Sequence, residues 1–199
     1  MHTPLHALGR ILTGLAGALC LLALAGCASL TTTGEVAARA DERWALLPIE
    51  NLSATPHAGE LARELVEVTL RARGLERLDA WREEGEPTIA ELVDGDARLA
   101  RAKRWARENG YRYAVTGTVH EWRYRSGIER EPVIGLGLKL VELDTDRVLW
   151  QASAARTGWG SSNLSKVGAR VVEDLLEGVR LEGDPTGGSP ELVASAAPR

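Results

Sequence analysis

A chain of 199 residues with 44% hydrophobic residues has room for one globular domain with a sizeable core. Its 28 acidic residues outnumber its 24 basic ones, giving a net charge of −4, which excludes the basic surface of a nucleic-acid-binding protein. With only Cys20, Cys27 and four histidines, the composition also excludes a disulfide framework and a Cys- or His-rich metal site.

The first 27 residues are typical of a bacterial lipoprotein signal peptide. Arg10 precedes an uncharged apolar run over residues 11–25, which ends in the lipobox sequence LAGC at Cys27. The run is shorter than the ~20 residues of a membrane-spanning helix. We therefore expect cleavage after residue 26 and acylation of Cys27, with palmitate among the chains, so that the protein stays attached to a membrane. Cleavage removes one basic and no acidic residue, which takes the net charge to −5.

Ala28 follows the cysteine at the position where lipoproteins retained in the inner membrane commonly carry Asp. By similarity to these sorting rules, we expect the outer membrane, with the domain on its periplasmic face. Residues 27–42 have no stable periodicity and predict a lipidated flexible tether. Residues 43–182 then form one folded domain, and residues 183–199, rich in Pro and Gly, predict a disordered tail.

The first half of the domain reads as a strand, a helix and a second, short strand. The strand covers residues 43–49 and stops at Pro48. The helix covers residues 58–73 and is stopped by Gly74. Its predicted core stripe is Leu61, Leu65, Val68 and Ala72, widened by Ala62, Val66 and Leu70. A short strand over residues 75–78 follows.

The second half begins with a helix over residues 96–109 and continues as a β-meander. Alternating apolar residues predict strands over 111–125, 133–143 and 148–157, with a turn at 144–147. A last helix covers 165–179. The order β-α-(β)-α-β-β-β-α predicts an α/β domain with a single mixed, largely antiparallel sheet and helices packed on it.

No catalytic template occurs in the chain, so we expect neither enzyme activity nor a cofactor or metal. His57 and His120 lie far apart in sequence and lack an obvious partner. The glycines of Gly135-Leu136-Gly137 lie inside a strand, where close packing or a bulge explains them better than nucleotide binding. Asp144 and Asp146 flank a hairpin turn that favours Asp for conformational reasons.

The string WALLPIENLSATPHAG, residues 44–59, is more specific. It resembles the start of a superfamily of envelope lipoproteins that includes CsgG, LpoB and the N-terminal domain of TolB, which has an anticodon-binding-domain-like fold. Within this superfamily it is most similar to the PelC family of exopolysaccharide export lipoproteins. The strand over residues 113–119, the Leu149-Trp150 strand and the closing helix follow in the same order, so that the resemblance covers residues 43–181.

The resemblance implies a non-enzymatic lipoprotein that forms a ring, a dodecamer, under the outer membrane. Its partners would be a partly deacetylated, cationic polysaccharide and a PelB-like outer-membrane porin with tetratricopeptide repeats. The family carries a membrane-facing Trp ahead of its last helix, and Trp159 occupies the matching position. Trp159 lies between two glycines in a loop, where an indole suits a membrane interface. The alternatives are that it folds back on its own domain or contacts another subunit.

Trp105 and Trp150 are expected in the core. Trp122 and Tyr124 alternate with His120 on one strand face, which could be core, subunit contact or sugar-stacking surface.

Glu142, Asp144 and Asp146 are candidate pore carboxylates, because hairpin tips commonly line openings and a ring would multiply their charge. The same acidic balance could equally serve solubility.

Three other functions fit parts of the sequence. An LpoB-like activator of a penicillin-binding protein usually needs a long tether, and here about 15 residues reach at most ~50 Å. A CsgG-like secretion channel needs hairpins with ~9–11 residues per strand, and residues 134–140 have that alternation without a second hairpin. A glycan-acting enzyme lacks a catalytic constellation.

Overall fold

The computed structural model describes residues 28–83, 95–126, 130–160 and 162–183. The predicted signal peptide, Cys27 and the tail from residue 184 lie outside the described residues. The strands are β1 Ala28–Thr32, β2 Val36–Arg39, β3 Trp44–Asn51, β4 Leu78–Ala80, β5 Tyr113–Tyr124, β6 Pro132–Glu142, β7 Arg147–Thr157 and β8 Val179–Glu182. The helices are α1 Ala58–Ala72, α2 Gly95–Glu108 and α3 Leu164–Leu176.

The centre of the fold is a six-stranded mixed sheet with the order β1-β7-β6-β5-β3-β4. Strands β5, β6 and β7 form the predicted antiparallel meander and extend it to β1. Strands β3, β4 and β5 are parallel, because the helices α1 and α2 carry the chain back between them. The predicted fold class is therefore confirmed.

Helices cover the two faces of this sheet unequally. On one face, α1 and α3 bury the main core, which includes Trp44, Leu46 and Trp150. On the other face, α2 packs only at the β3 side, over a smaller cluster with Ala45, Leu47 and Ala106. The rest of that second face carries no helix among the described residues.

One glycine of the sequence string 44–59 has a clear packing role. A Cβ atom added at Gly59 would lie 2.3 Å from the carbonyl oxygen of Ile49. Only glycine therefore lets the first turn of α1 approach the end of β3 this closely. This contact fixes the angle at which α1 crosses the sheet.

The structure corrects the prediction of a flexible tether over residues 27–42. Ala28–Thr32 is a strand on the edge of the central sheet, and Val36–Arg39 pairs in parallel with β8 in a second, two-stranded sheet. The prediction failed because all five residues of β1 are exposed, so that the strand is held by backbone pairing and has no apolar alternation. The last helix ends at Leu176, three residues before the predicted end at residue 179, and Val179 is instead the first residue of β8.

Two further predictions about faces were wrong. In α1 the side chains that face the sheet are Ala62, Val66 and Leu70, whereas Leu61 is 43% exposed and Val68 is 66% exposed. In β5 the pairing register shifts between Val119 and Glu121, with no partner at His120. This bulge reverses the alternation, so that His120 is exposed, Trp122 is buried and the two do not share a face.

Candidate functional site

One end of the central sheet gathers the elements that precede α3. Ala28 pairs with Arg156 near the end of β7, and the first residue of β6, Pro132, pairs with Tyr124 of β5. The chain leaves β7 at this end and forms the loop 158–163 before α3.

The loop that carries Trp159 is held on both sides. Gly158 donates its N–H to the carbonyl of Pro132 at 2.8 Å, and a Cβ atom there would lie 2.6 Å from Cγ2 of Val167. Gly160 has φ of 59°, the left-handed region that glycine adopts without strain. Asn163 then caps α3 by accepting the N–H of Lys166 at 2.9 Å. These contacts hold the backbone in place on both sides of residue 159.

Trp159 is 70% exposed, unlike the other five tryptophans of the chain. Trp44, Trp81, Trp122 and Trp150 are buried, and Trp105 is half-buried against the second cluster. The core prediction for Trp150 is confirmed, and Trp105 packs at the margin of the core. The alternative in which Trp159 folds back on its own domain does not match its exposure.

A second loop at the same end is built by the Asn51 side chain. Asn51 Oδ1 accepts the backbone N–H of Ser53 at 3.0 Å and its hydroxyl at 2.7 Å, and Asn51 Nδ2 donates to the carbonyl of Thr55 at 2.8 Å. The Thr55 hydroxyl donates to the carbonyl of Trp122. These contacts explain the polar residues of the string 44–59, and they leave Leu52 exposed.

Leu52, Tyr124 and Trp159 are exposed apolar side chains toward this end of the sheet. Leu52 borders a depression on the α2 side of the sheet, and Tyr124 lies beside Leu61 and Leu164 on the α1 and α3 side. Sequence reasoning found only Trp159. Tyr124 was assigned to a face whose alternation the bulge at His120 reverses, and Leu52 carries no periodic signal because it lies in a loop.

The candidate pore carboxylates lie at the opposite end, in the β6–β7 hairpin. Asp146 has φ of 55° in this turn, which Asp tolerates better than most residues. Its Oδ1 is 2.9 Å from Lys103 Nζ and 3.1 Å from Arg107 Nη2, both on α2. The hydrogen bond from Lys103 holds the pKa of Asp146 below its ordinary value. Asp146 is thus paired with two cations.

The carboxylate of Glu142 is likewise ion-paired with two arginines. Its carboxylate oxygens lie 3.7 Å from Arg112 and 3.6 Å from Arg147, and the Thr145 hydroxyl donates to it at 2.8 Å. Asp144 is exposed and has no ion-pair partner among the described residues. Of the three carboxylates, Asp144 alone has a charge that no cation of the described fold offsets.

His57 and His120 are the two histidines that the structure describes. His57 has φ of 60° at the start of α1, and His120 is exposed on β5. Within the described ranges, no three His, Cys, Asp or Glu side chains converge on a possible metal position. Among the same residues, no helix has both the length and the apolar character needed to cross a membrane.

Comparison with known proteins identifies the protein family to which the chain belongs. No protein-family model matches the chain, and no curated protein matches it. It is similar to the PelC dodecamer from Paraburkholderia phytofirmans, with 30% sequence identity and a TM-score of 0.65 over 77% of this chain and 99% of that chain. The chain belongs to the PelC family.

A single-residue variant of the same dodecamer in another crystal form matches this PelC-family chain equally, with 30% identity and a TM-score of 0.65 over 78% of this chain and 99% of that chain. A lipoprotein from Neisseria meningitidis has 14% identity and a TM-score of 0.44, over 67% and 96% of the two chains. The resemblance seen in the sequence is thereby confirmed at the level of the PelC family.

Proposed function

We propose that this chain is a lipid-anchored outer-membrane lipoprotein, without enzymatic activity, that forms a ring on the periplasmic face and assists export of a cationic exopolysaccharide. The observation that carries the proposal is the position of Ala28 and Trp159 at the same end of the sheet, in a chain whose family includes a dodecamer. The residue that follows the lipobox cysteine and the exposed indole would then face the same membrane.

The lipid anchor on Cys27 and the indole of Trp159 would have complementary physical roles at the membrane. Acyl chains on Cys27 supply durable attachment at ~0.8 kcal/mol per buried CH₂. An indole prefers the level of the lipid headgroups, where its ring is shielded and its N–H stays hydrated. Because β1 fixes Ala28 to β7, the anchor would orient the domain as well as retain it. Tyr124, exposed near the same end of the sheet, would extend the contact.

This orientation directs the β6–β7 hairpin away from the membrane. Strand β7 has 11 residues, or roughly 33 Å at 3.3 Å per residue, so that the hairpin would lie deep in the periplasm. A polymer arriving from the inner membrane would meet this end first. We propose Asp144 as the carboxylate that, repeated around a ring, attracts a cationic chain. Glu142 and Asp146 would contribute less, because each is paired with two cations.

A PelB-like porin would receive the polymer on the membrane side of the ring. An activator that crosses the peptidoglycan needs a long linker, whereas β1 begins at Ala28, one residue after the proposed lipidation site at Cys27. This supports export over the LpoB-like alternative.

Deletion of the gene tests the proposal. We expect the amount of polysaccharide in the medium to fall while polymer accumulates inside the envelope, and the wild-type gene to restore secretion. Unchanged secretion, or a change in peptidoglycan cross-linking in its place, would overturn the export function.

A further inference from the structure

Helix α1 has two apolar faces, and its own domain covers only one of them. Ala62, Val66 and Leu70 face the sheet. The second face, which we call the α1 stripe, consists of Leu61, Glu64, Leu65 and Val68. Leu61 and Val68 are exposed, and Leu65 is half-buried against α3. A helix that is apolar on two sides normally buries both.

The uncovered part of the sheet offers a second surface on the opposite side of the domain. We call it the open sheet face and define it by Thr118, Lys139, Val148, Gln151 and Ser153. Two adjoining depressions of about 350 and 510 Å³ follow it. Lys139 lies at their junction, paired with Thr116 of β5 and Gln151 of β7.

The open sheet face has the dimensions of a helix-binding groove. It spans β5, β6, β7 and β1, four strands about 4.8 Å apart, or roughly 14 Å. A helix with side chains is about 10–12 Å wide. The floor is low, since Gly137 and Ser153 carry small or no side chains, and α2 borders one side. A helix can therefore approach the backbone closely.

The charges of the two surfaces are complementary. Glu64 on the α1 stripe and Lys139 on the open sheet face are both exposed, and neither has an ion-pair partner among the described residues. Val68 and Val148 add an exposed apolar side chain to each surface. Buried together, the two surfaces would satisfy both charges and cover both valines.

We infer that the α1 stripe of one copy docks on the open sheet face of the next copy. This inference rests on the proposed ring. A closed ring needs heterologous contacts between two different surfaces, and in a ring of twelve, as in the PelC relative, neighbours differ by a rotation of about 30°. The two surfaces must then point in nearly opposite directions, as the outer side of α1 and the far face of the sheet do.

Charge-exchange variants of the full-length lipoprotein, purified in detergent, test whether the α1 stripe docks on the open sheet face. Light scattering measures the size of the assembly for each variant. Glu64→Lys and Lys139→Glu each place like charges across every contact, and each should raise the protomer concentration at which the ring dissociates by about tenfold or more. The double variant should restore the wild-type ring. Val68→Asp, at an exposed position, should dissociate the ring without unfolding the domain.

Two control variants carry matched charge changes elsewhere. Glu76→Lys lies in the loop after α1, and Arg104→Glu lies at an exposed position of α2 outside the two depressions. Both should leave the ring intact. Single variants that leave the ring unchanged, or a double variant no better than the singles, would overturn the assignment while leaving the proposed function in place. A wild-type chain that stays monomeric would overturn the ring as well.

Discussion

Ala28 and Arg156 are paired in an antiparallel register that links the start of the described chain to the end of β7. Trp159 follows Arg156 by three residues, with Gly158 fixed under Val167 and Pro132. The separation of Ala28 from the loop that carries the exposed indole is therefore set by the sheet. A flexible tether, as the sequence predicts, would have left this distance free.

The first prediction concerns Trp159. Because the indole is 70% exposed, Trp159→Ser should change the free energy of unfolding by no more than about 0.5 kcal/mol. The same substitution should weaken binding to lipid vesicles and reduce polysaccharide secretion. Denaturant unfolding and vesicle flotation measure the two effects.

Trp122 provides the contrasting control, since it is 3% exposed. Trp122→Ala should cost about 3–5 kcal/mol through the cavity it leaves. If Trp159→Ser destabilises the domain to a similar extent, the loop has a structural role and the membrane interpretation is wrong.

The second prediction concerns the register of β1. In a chain with Leu30→Cys and Ala154→Cys, the two paired residues should form a disulfide under mild oxidation, because directly opposite strand residues fall within disulfide range. Mass spectrometry of peptides under non-reducing conditions detects the bond. Leu30→Cys with Ser153→Cys is the control, since these side chains point to opposite faces of the sheet and should not cross-link. Equal yields from both pairs would contradict the register.

The third prediction concerns Gly59. Gly59→Ala places a Cβ atom 2.3 Å from the Ile49 carbonyl oxygen and should lower the free energy of unfolding by about 1–3 kcal/mol. Gly137→Ala is the control, because its nearest contact would be 3.5 Å, from His120 Nε2. Thermal and denaturant unfolding compare the two. Equal stabilities would show that α1 can shift on the sheet at little cost.

The fourth prediction concerns the hairpin carboxylates and pH. The pKa of Asp146 is lowered in the folded state, first by the hydrogen bond from Lys103. Its contribution to stability is therefore present above the pKa of the unfolded chain and is lost as pH falls through the folded pKa. Asp146→Asn should cost less than about 1 kcal/mol at neutral pH, since the pair is largely exposed. The difference from wild type should vanish in acid.

Asp144→Asn is the matched substitution two residues away. It should leave the stability at neutral pH unchanged, because Asp144 is exposed and has no ion-pair partner among the described residues. It should reduce polysaccharide secretion, because Asp144 is the proposed pore carboxylate. If Asp146→Asn lowers secretion and Asp144→Asn does not, the charge that attracts the polymer lies elsewhere in the hairpin.

The sequence predicted the elements whose pattern is local. Strands β5 to β7 carry runs of alternating apolar residues, and α2 and α3 end within three residues of the predicted positions. The face of α1 was misjudged because Leu61 and Val68 repeat at helical spacing as regularly as Ala62, Val66 and Leu70 do. Periodicity reports that a stripe is apolar, and it does not report which of two stripes faces the domain's own sheet.

The missed strands depend on distant pairing. Ala28–Thr32 pairs with residues of β7 that lie at least 120 positions further along the chain, and Val36–Arg39 pairs with Val179–Glu182. Neither short segment carries a pattern that distinguishes it from a loop. The ion pairs of Asp146 with Lys103 and Arg107 were equally invisible in the sequence, because they join the hairpin to α2 through the folded sheet.

Electron cryomicroscopy of the full-length lipoprotein in lipid nanodiscs tests the central claim most directly. The account predicts a closed ring, with twelve copies as in the PelC relative, in which every Trp159 loop and every residue 28 face the bilayer and the β6–β7 hairpins point away. Isolated monomers, or a ring whose Trp159 loops face away from the lipid, would contradict it.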